Sequence, residues 1–314
     1  MLTQQLTFVR LSRQARARAL SFLCERAPGV AWRVMQPALS SGAFRGVVYP
    51  DFREVGADAT VGLATTRSRD ADETRATSSG LVVQTIAGRR CGGGLEDVRQ
   101  RALEAVRVEA REVGLLAVSG DGDDDDATGV GSMDVLRELA TMRARGEFAR
   151  DVKLFAAANP MRGDADAARM VQKRELGVDG FLTQPALLSE AFSAWHESVV
   201  KYGALDDSGN VSCHLGVACI TSTKSLDFWL NLTGVNRSAS PEARMVFDDF
   251  VAHEIDMSPE VFHDWAFERL ELATMHAIST RYCDGAHFMP VTRKGFAFAE
   301  TLASSVLKTF LSKV

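Results

Sequence analysis

The chain has 314 residues, about twice a usual domain, which allows one large domain or two ordinary ones. Hydrophobic residues at 46% and charged residues at 25% match a folded globular protein and exclude a disordered one, and no run of 18 apolar residues occurs that could span a membrane. Lys plus Arg is 36 against 41 for Asp plus Glu, a net charge of −5 with no basic stripe, which argues against a nucleic-acid partner. The five cysteines (Cys24, Cys91, Cys213, Cys219, Cys283) fit neither a disulfide framework nor a zinc spacing and read as reduced thiols of a cytoplasmic protein.

Residues 1–28 stand apart. From Met1 to Cys24 there is no acid, while Arg10, Arg13, Arg16 and Arg18 are present and Leu11, Ala15, Ala19 and Phe22 share one helical face. The pattern fits a surface helix capping the domain or, alternatively, a mitochondrial transit segment. Residues 29–314 then form a single domain. Eight β-rich runs follow: Val30–Met35, Thr60–Thr65, Leu81–Ile86, Gly114–Ser119, Val152–Ala158, Gly180–Gln184, Leu215–Thr221 and Ala286–Val291. They are near-continuously apolar rather than alternating, as expected for parallel strands buried on both faces. Amphipathic helices are expected over Leu95–Val113, Ala165–Leu176, Leu188–Tyr202 and Pro259–Tyr282, with an extra one at Pro241–Ile255 before the last strand. Eight strands alternating with helices in about 300 residues predict a (β/α)8 TIM barrel. The rival, a doubly wound open sheet, usually carries a Gly-rich first turn, and no GxGxxG follows Met35.

Barrel chemistry sits at the C-terminal ends of the strands. Asp121 follows the strand ending in Ser119-Gly120 and is a candidate acid–base carboxylate, or a turn aspartate in a Gly- and Asp-rich loop. The run Asp123 to Asp126 lacks the alternating spacing of a calcium loop and reads as a solvated acidic loop. Cys91-Gly92-Gly93-Gly94 opens a helix beside Arg89 and Arg90, a candidate phosphate cradle or a plain flexible loop. Gln184 ends strand six with an amide suited to reading a heterocycle edge, or serves as a rim polar group. His287 ends the last strand, where a lone histidine is more often structural than catalytic.

The segment from Leu116 to Gln184 resembles the methylenetetrahydrofolate reductase family. The resemblance is carried by Leu116-Ala117-Val118-Ser119-Gly120-Asp121, by Ala157-Ala158-Asn159-Pro160, by the helix holding Asp166 and Lys173, and by Gly177-Val178-Asp179-Gly180-Phe181-Leu182-Thr183-Gln184-Pro185. Weaker similarity reaches Thr65-Thr66-Arg67 and Gly285-Ala286-His287-Phe288. What it implies is a TIM barrel holding FAD, with NAD(P)H as hydride donor and a one-carbon folate as substrate. Asp121 would then act near the flavin and folate rings and Gln184 would read the pterin edge. Gly120, Asn159, Asp166, Lys173 and Thr65 would line the flavin.

Two family features are missing from the expected alignment. The family's general-acid glutamate ends strand one in a Glu-x-x-Pro-Pro setting, and the strand expected at Val30–Met35 has Arg33 there, with no acid between Glu25 and Asp51. Arginine cannot deliver the proton that opens the imidazolidine ring. Strand three carries Val83 and Gln84 where members often have a histidine. Three functional expectations follow: a flavin-dependent reductase whose proton comes from another donor such as Asp121 through water, a non-catalytic member acting as a regulatory subunit, scaffold or folate or flavin binder, or a different barrel enzyme using the same face. A homo-oligomer or a partner subunit fits either.

Overall fold

The computed structural model describes residues 21–26, 43–51, 80–107, 110–119, 129–149, 151–205, 210–280 and 282–312. Eight parallel strands pair in chain order: β1 (Ser21–Glu25), β2 (Gly46–Tyr49), β3 (Leu81–Ala87), β4 (Glu112–Val118), β5 (Lys153–Ala158), β6 (Gly180–Pro185), β7 (Ser212–Ala218) and β8 (Gly285–Met289). β8 pairs back on β1 through Ser21↔Gly285 and Leu23↔His287, so the sheet closes and no edge strand remains. This is the (β/α)8 TIM barrel that the strand arithmetic predicts. Helices α1 (Leu95–Ala105), α2 (Ser132–Ala144), α3 (Asp164–Glu175) and α4 (Ser189–Lys201) follow β3 to β6 in turn. Three helices, α5 (Thr223–Leu232), α6 (Pro241–Asp256) and α7 (Pro259–Ile278), separate β7 from β8, and α8 (Arg293–Ser312) closes the ring.

Alternation along each strand splits the core in two. Outward residues such as Phe22, Val47, Val82, Ile86, Leu115 and Phe181 pack beneath the helices. Inward residues Leu23, Val48, Val83, Leu116, Phe155 and Leu182 fill the barrel itself. Phe155 fits because its neighbours have no side chain. A Cβ on Gly114 would lie 2.7 Å from the Phe155 ring and one on Gly180 2.9 Å from it, closer than packed atoms tolerate.

Strands β3 to β8 fall within three residues of where the sequence places them; β1 and β2 do not. β1 occupies Ser21–Glu25, inside the segment 1–28 that the sequence reading sets apart from the barrel, and β2 occupies Gly46–Tyr49 rather than Thr60–Thr65. A five-residue apolar run has no periodicity of its own, and the Arg-rich stretch before it made Phe22 look like part of a helix face. Phe22 instead packs edge-on against Phe288, ring centroids 5.4 Å apart, with Phe44 on the same ring at 5.7 Å. Residues 1–20, 30–35 and 60–65 lie outside the described residues. The helix expected to reach Val113 ends at Ala105, because Glu112 and Val113 pair with Leu81 and Val82 as the start of β4. No helix among the described residues is long and apolar enough to cross a membrane.

Candidate functional site

The inward faces of β1, β7 and β8 carry polar residues where the opposite wall is apolar. β1 presents Ser21, Leu23 and Glu25; β7 presents His214; β8 presents His287, level with Leu23 and Gly216 in the register. At the lower end, Nε2 of His214 and the Ser21 hydroxyl lie 2.7 Å apart. One layer nearer the mouth, His287 Nε2 lies 3.4 Å from Glu25 Oε2. Glu25 is the last residue of β1, so its carboxyl stands at the C-terminal mouth, 15% of its side chain exposed against 4% for His287.

Burial keeps this column neutral. It pushes the Glu25 carboxyl up to about 8, so the acid holds its proton through neutrality. It pushes His287 down to about 3, helped by the neighbouring His214, and His214 down to about 4, helped by Arg45. A carboxylic acid beside a neutral imidazole can give up a proton to a basic atom in the mouth and can also donate a neutral hydrogen bond.

Glu25, which the sequence reading did not single out, ends β1 and so takes the strand-one position given there to Arg33, which lies outside the described residues. A signal for it exists. Glu25-Arg26-Ala27-Pro28 carries the Glu-x-x-Pro spacing, hidden by the assumption that the barrel began after residue 28.

Gln184 continues the inward set of Gly180 and Leu182 on β6. The strand bulges between Leu182 and Pro185. Proline has no N–H for the ladder, and Thr183 mends the gap by accepting from the Gly216 N–H at 2.8 Å and donating to the Gln184 carbonyl at 2.8 Å. The side-chain oxygen of Gln184 is buried and has no hydrogen-bond partner among the described residues. An amide oxygen left in that condition is suited to accept from a ligand's N–H.

The other expected site residues divide. Asp121, Gly120 and Thr65 lie outside the described residues, as does the run Asp123 to Asp126, so the expected meeting of Asp121 with Gln184 lies there too. Asn159 caps the turn after β5: its side-chain oxygen accepts from the Met161 N–H and its amide donates to the Thr233 carbonyl, both at 3.0 Å. Asp166 is buried and accepts from the Asn159 N–H at 2.9 Å and the Trp195 indole at 3.2 Å, while buried Lys173 donates to the Ala157 carbonyl at 2.5 Å. Burial raises Asp166 and lowers Lys173, and each is held back by the other's charge.

The glycine loop is not an open phosphate cradle. Asp97 turns its own carboxylate onto the Gly93 N–H at 2.6 Å, and the loop's Gly94 N–H is taken by the Cys91 carbonyl. All five cysteines are free and buried. No cluster of three metal-ligating side chains occurs among the described residues.

No family model matches the chain, and no curated protein matches it. Among solved structures the chain is similar to an uncharacterized protein from Clostridium thermocellum that binds two copies of 5-methyl-5,6,7,8-tetrahydrofolic acid. The TM-score is 0.54 at 13% identity, over 95% of this chain and 99% of that one. It is also similar to a family GH18 chitinase from Cycas revoluta in complex with allosamidin, with a TM-score of 0.51 at 12% identity over 91% and 99% of the two chains. At such identities the likeness establishes the shared barrel and nothing finer.

Proposed function

We propose that this barrel binds a reduced one-carbon folate at its C-terminal mouth in the manner of the methylenetetrahydrofolate reductase family, with Glu25 as the proton donor and Gln184 reading the pterin edge. The observation that carries the reading is Glu25: a carboxyl at the tip of β1, held protonated to about 8, where the family keeps its acid. The folate-binding neighbour of the same fold supports the choice of ligand. Opening the imidazolidine ring of a methylenefolate leaves an amine that needs a proton, and a carboxyl with a raised pKa supplies one near neutral pH. The Gln184 amide, able to donate and accept side by side, matches the alternating donors and acceptors of a pterin ring.

Three of the positions that the resemblance assigns to a flavin are committed elsewhere, and Gly120 and Thr65 lie outside the described residues. Of the five positions the resemblance assigns to it, Asn159, Asp166 and Lys173 spend polar atoms on Thr233, Met161, Trp195 and Ala157, and the two charged groups are buried behind the barrel wall. No step is therefore routed through FAD, and NAD(P)H is left as the co-substrate of a reductase only. The same commitment of Asp166 and Lys173 favours a second reading, a folate-binding barrel without redox chemistry.

Calorimetric titration of the full chain with 5-methyl-5,6,7,8-tetrahydrofolic acid tests the folate reading. Saturation at about a hundred times Kd should raise the unfolding free energy by about 2.7 kcal/mol, and Glu25→Gln should weaken binding. No heat of binding and no thermal shift would sink it. Visible flavin absorbance in the purified protein, retained on gel filtration, would restore the cofactor.

A further inference from the structure

The acid of the proposed site has one side-chain neighbour whose part in that reading is unassigned. His287 projects from β8 into the barrel, and both of its ring nitrogens lack hydrogen-bond partners among the described residues. Native proteins pair such buried groups, and a buried imidazole whose nearest polar partner is a carboxyl is poised to serve it. Its Nε2 lies 3.4 Å from Glu25 Oε2, a separation that tightens readily once one partner is charged.

We infer that His287 is the positioning residue for Glu25: its Nε2–H donates to Glu25 Oε2, leaves the acid hydroxyl on Oε1 free to face the mouth, and holds the carboxylate once the proton has gone. The catalytic part of this statement rests on the folate reading above; the Glu25–His287 relationship does not. The proton balance is simple. The O–H bond at Oε1 breaks, its proton goes to the basic nitrogen of the ligand, the electron pair stays on Glu25, and His287 keeps its own proton throughout.

The opposite polarity, with the acid donating to the imidazole, would turn the proton away from the mouth. The surroundings leave the first arrangement open. Below His287 on β7, His214 has its Nε2 tied to Ser21 Oγ at 2.7 Å and does not compete for Glu25. The other titratable groups near the carboxyl are the Cys24 and Cys219 thiols, both buried and kept protonated by that burial. An imidazole pushed down to about 3 stays neutral and supplies one N–H without adding a fixed charge that would ionise the acid early. A donor aimed at Oε2 acts most strongly on the ionised form, so its effect grows as the proton leaves.

Two measurements on the ligand-free full chain test this. Nitrogen-15 NMR of the imidazoles, with His287 assigned by its loss in His287→Gln, should show a neutral ring protonated on Nε2; protonation on Nδ1, or on both nitrogens, overturns the inference. Carbon-13 titration of the Glu25 carboxyl should then separate two variants. His287→Phe removes the donor and should lower the Glu25 acid dissociation constant about tenfold or more. His287→Gln restores an N–H and should stay within about threefold of the parent. Equal shifts in both variants, or none in either, overturn it. Should His287→Phe fail to fold, the tautomer in the unaltered chain decides. Neither measurement uses folate, so failed folate binding with these results intact removes the ligand and leaves the pair.

Discussion

Glu25 Oε2 and His287 Nε2 meet 3.4 Å apart across the β1–β8 seam, although the register sets His287 level with Leu23, two residues below Glu25. The closing pair of strands therefore brings residues 262 positions apart in sequence into one polar contact facing the apolar wall of the barrel. Burial of these groups makes the protein's stability depend on pH from both sides.

The unfolded carboxyl of Glu25 ionises near 4.5, but the folded one keeps its proton to about 8, so stability from this group is lost as pH rises through that window. His214 and His287 act the other way. Their unfolded rings take protons below about 6.5 while the folded rings resist to about 4 and 3, so stability is lost as pH falls through that range. Two histidines outweigh one carboxyl below 6.5, and the carboxyl acts alone above it. Unfolding free energy should therefore peak near pH 6.5 and fall by about 1–2 kcal/mol by pH 8. Glu25→Gln should flatten that alkaline limb and steepen the acid limb, where the two histidines then act unopposed. Urea unfolding from pH 5 to 8.5 reads both, and an unchanged alkaline limb in the variant would mean that Glu25 titrates normally.

Gln184 offers a separation of binding from folding. Its side-chain oxygen is buried without a partner among the described residues, a condition that costs stability in the free protein. Gln184→Leu should therefore leave the unfolding free energy unchanged or raise it, while weakening 5-methyl-5,6,7,8-tetrahydrofolic acid by about tenfold or more. If thermal stability and folate affinity fall together, Gln184 is a structural rim residue after all.

Asp166 and Lys173 should behave as one structural unit. Asp166→Ala leaves buried Lys173 without its opposing charge and should cost about 3–5 kcal/mol, whereas Lys173→Met leaves Asp166 its Asn159 and Trp195 hydrogen bonds and the charge of Arg162 and should cost less. The double variant should cost much less than the sum, because neither charge remains. Additive losses in chemical denaturation would show that the two carboxyl and ammonium groups do not feel each other.

The barrel was legible from its later strands because these are mostly apolar runs of five to seven residues, several of them followed by amphipathic helices, so period and length agreed over much of the chain from Leu81 onward. The first two strands are five and four residues long, and the stretch ahead of Ser21 has helical spacing of its own. That masked Ser21–Glu25 and, with it, the acid. The place of Gln184 at the end of β6 was legible because a Thr-Gln-Pro run closing an apolar stretch is a local signal. The partner of Glu25 was not. Closure of the barrel places His287 beside it, and nothing near either residue in the chain records that closure. The Gly93 loop failed for a related reason: the Asp97 carboxylate that covers it lies four residues on, where it reads as an ordinary first-turn acid.

Phe155 tests whether the lower barrel is packed as tightly as the glycines around it imply. It is 4% exposed and wedged between Gly114 and Gly180, neither of which can move a side chain into a void. Phe155→Ala should cost about 3–5 kcal/mol, the transfer term plus the cavity left behind. A Cβ added at Gly114 points at the vacated ring, so Gly114→Ala in the Phe155→Ala background should recover part of that loss, whereas alone it should destabilise by overpacking. The sign reversal of one methyl group between the two backgrounds is the decisive readout in urea unfolding. Destabilisation by Gly114→Ala in both would mean that its Cβ meets the strand backbone rather than the Phe155 ring.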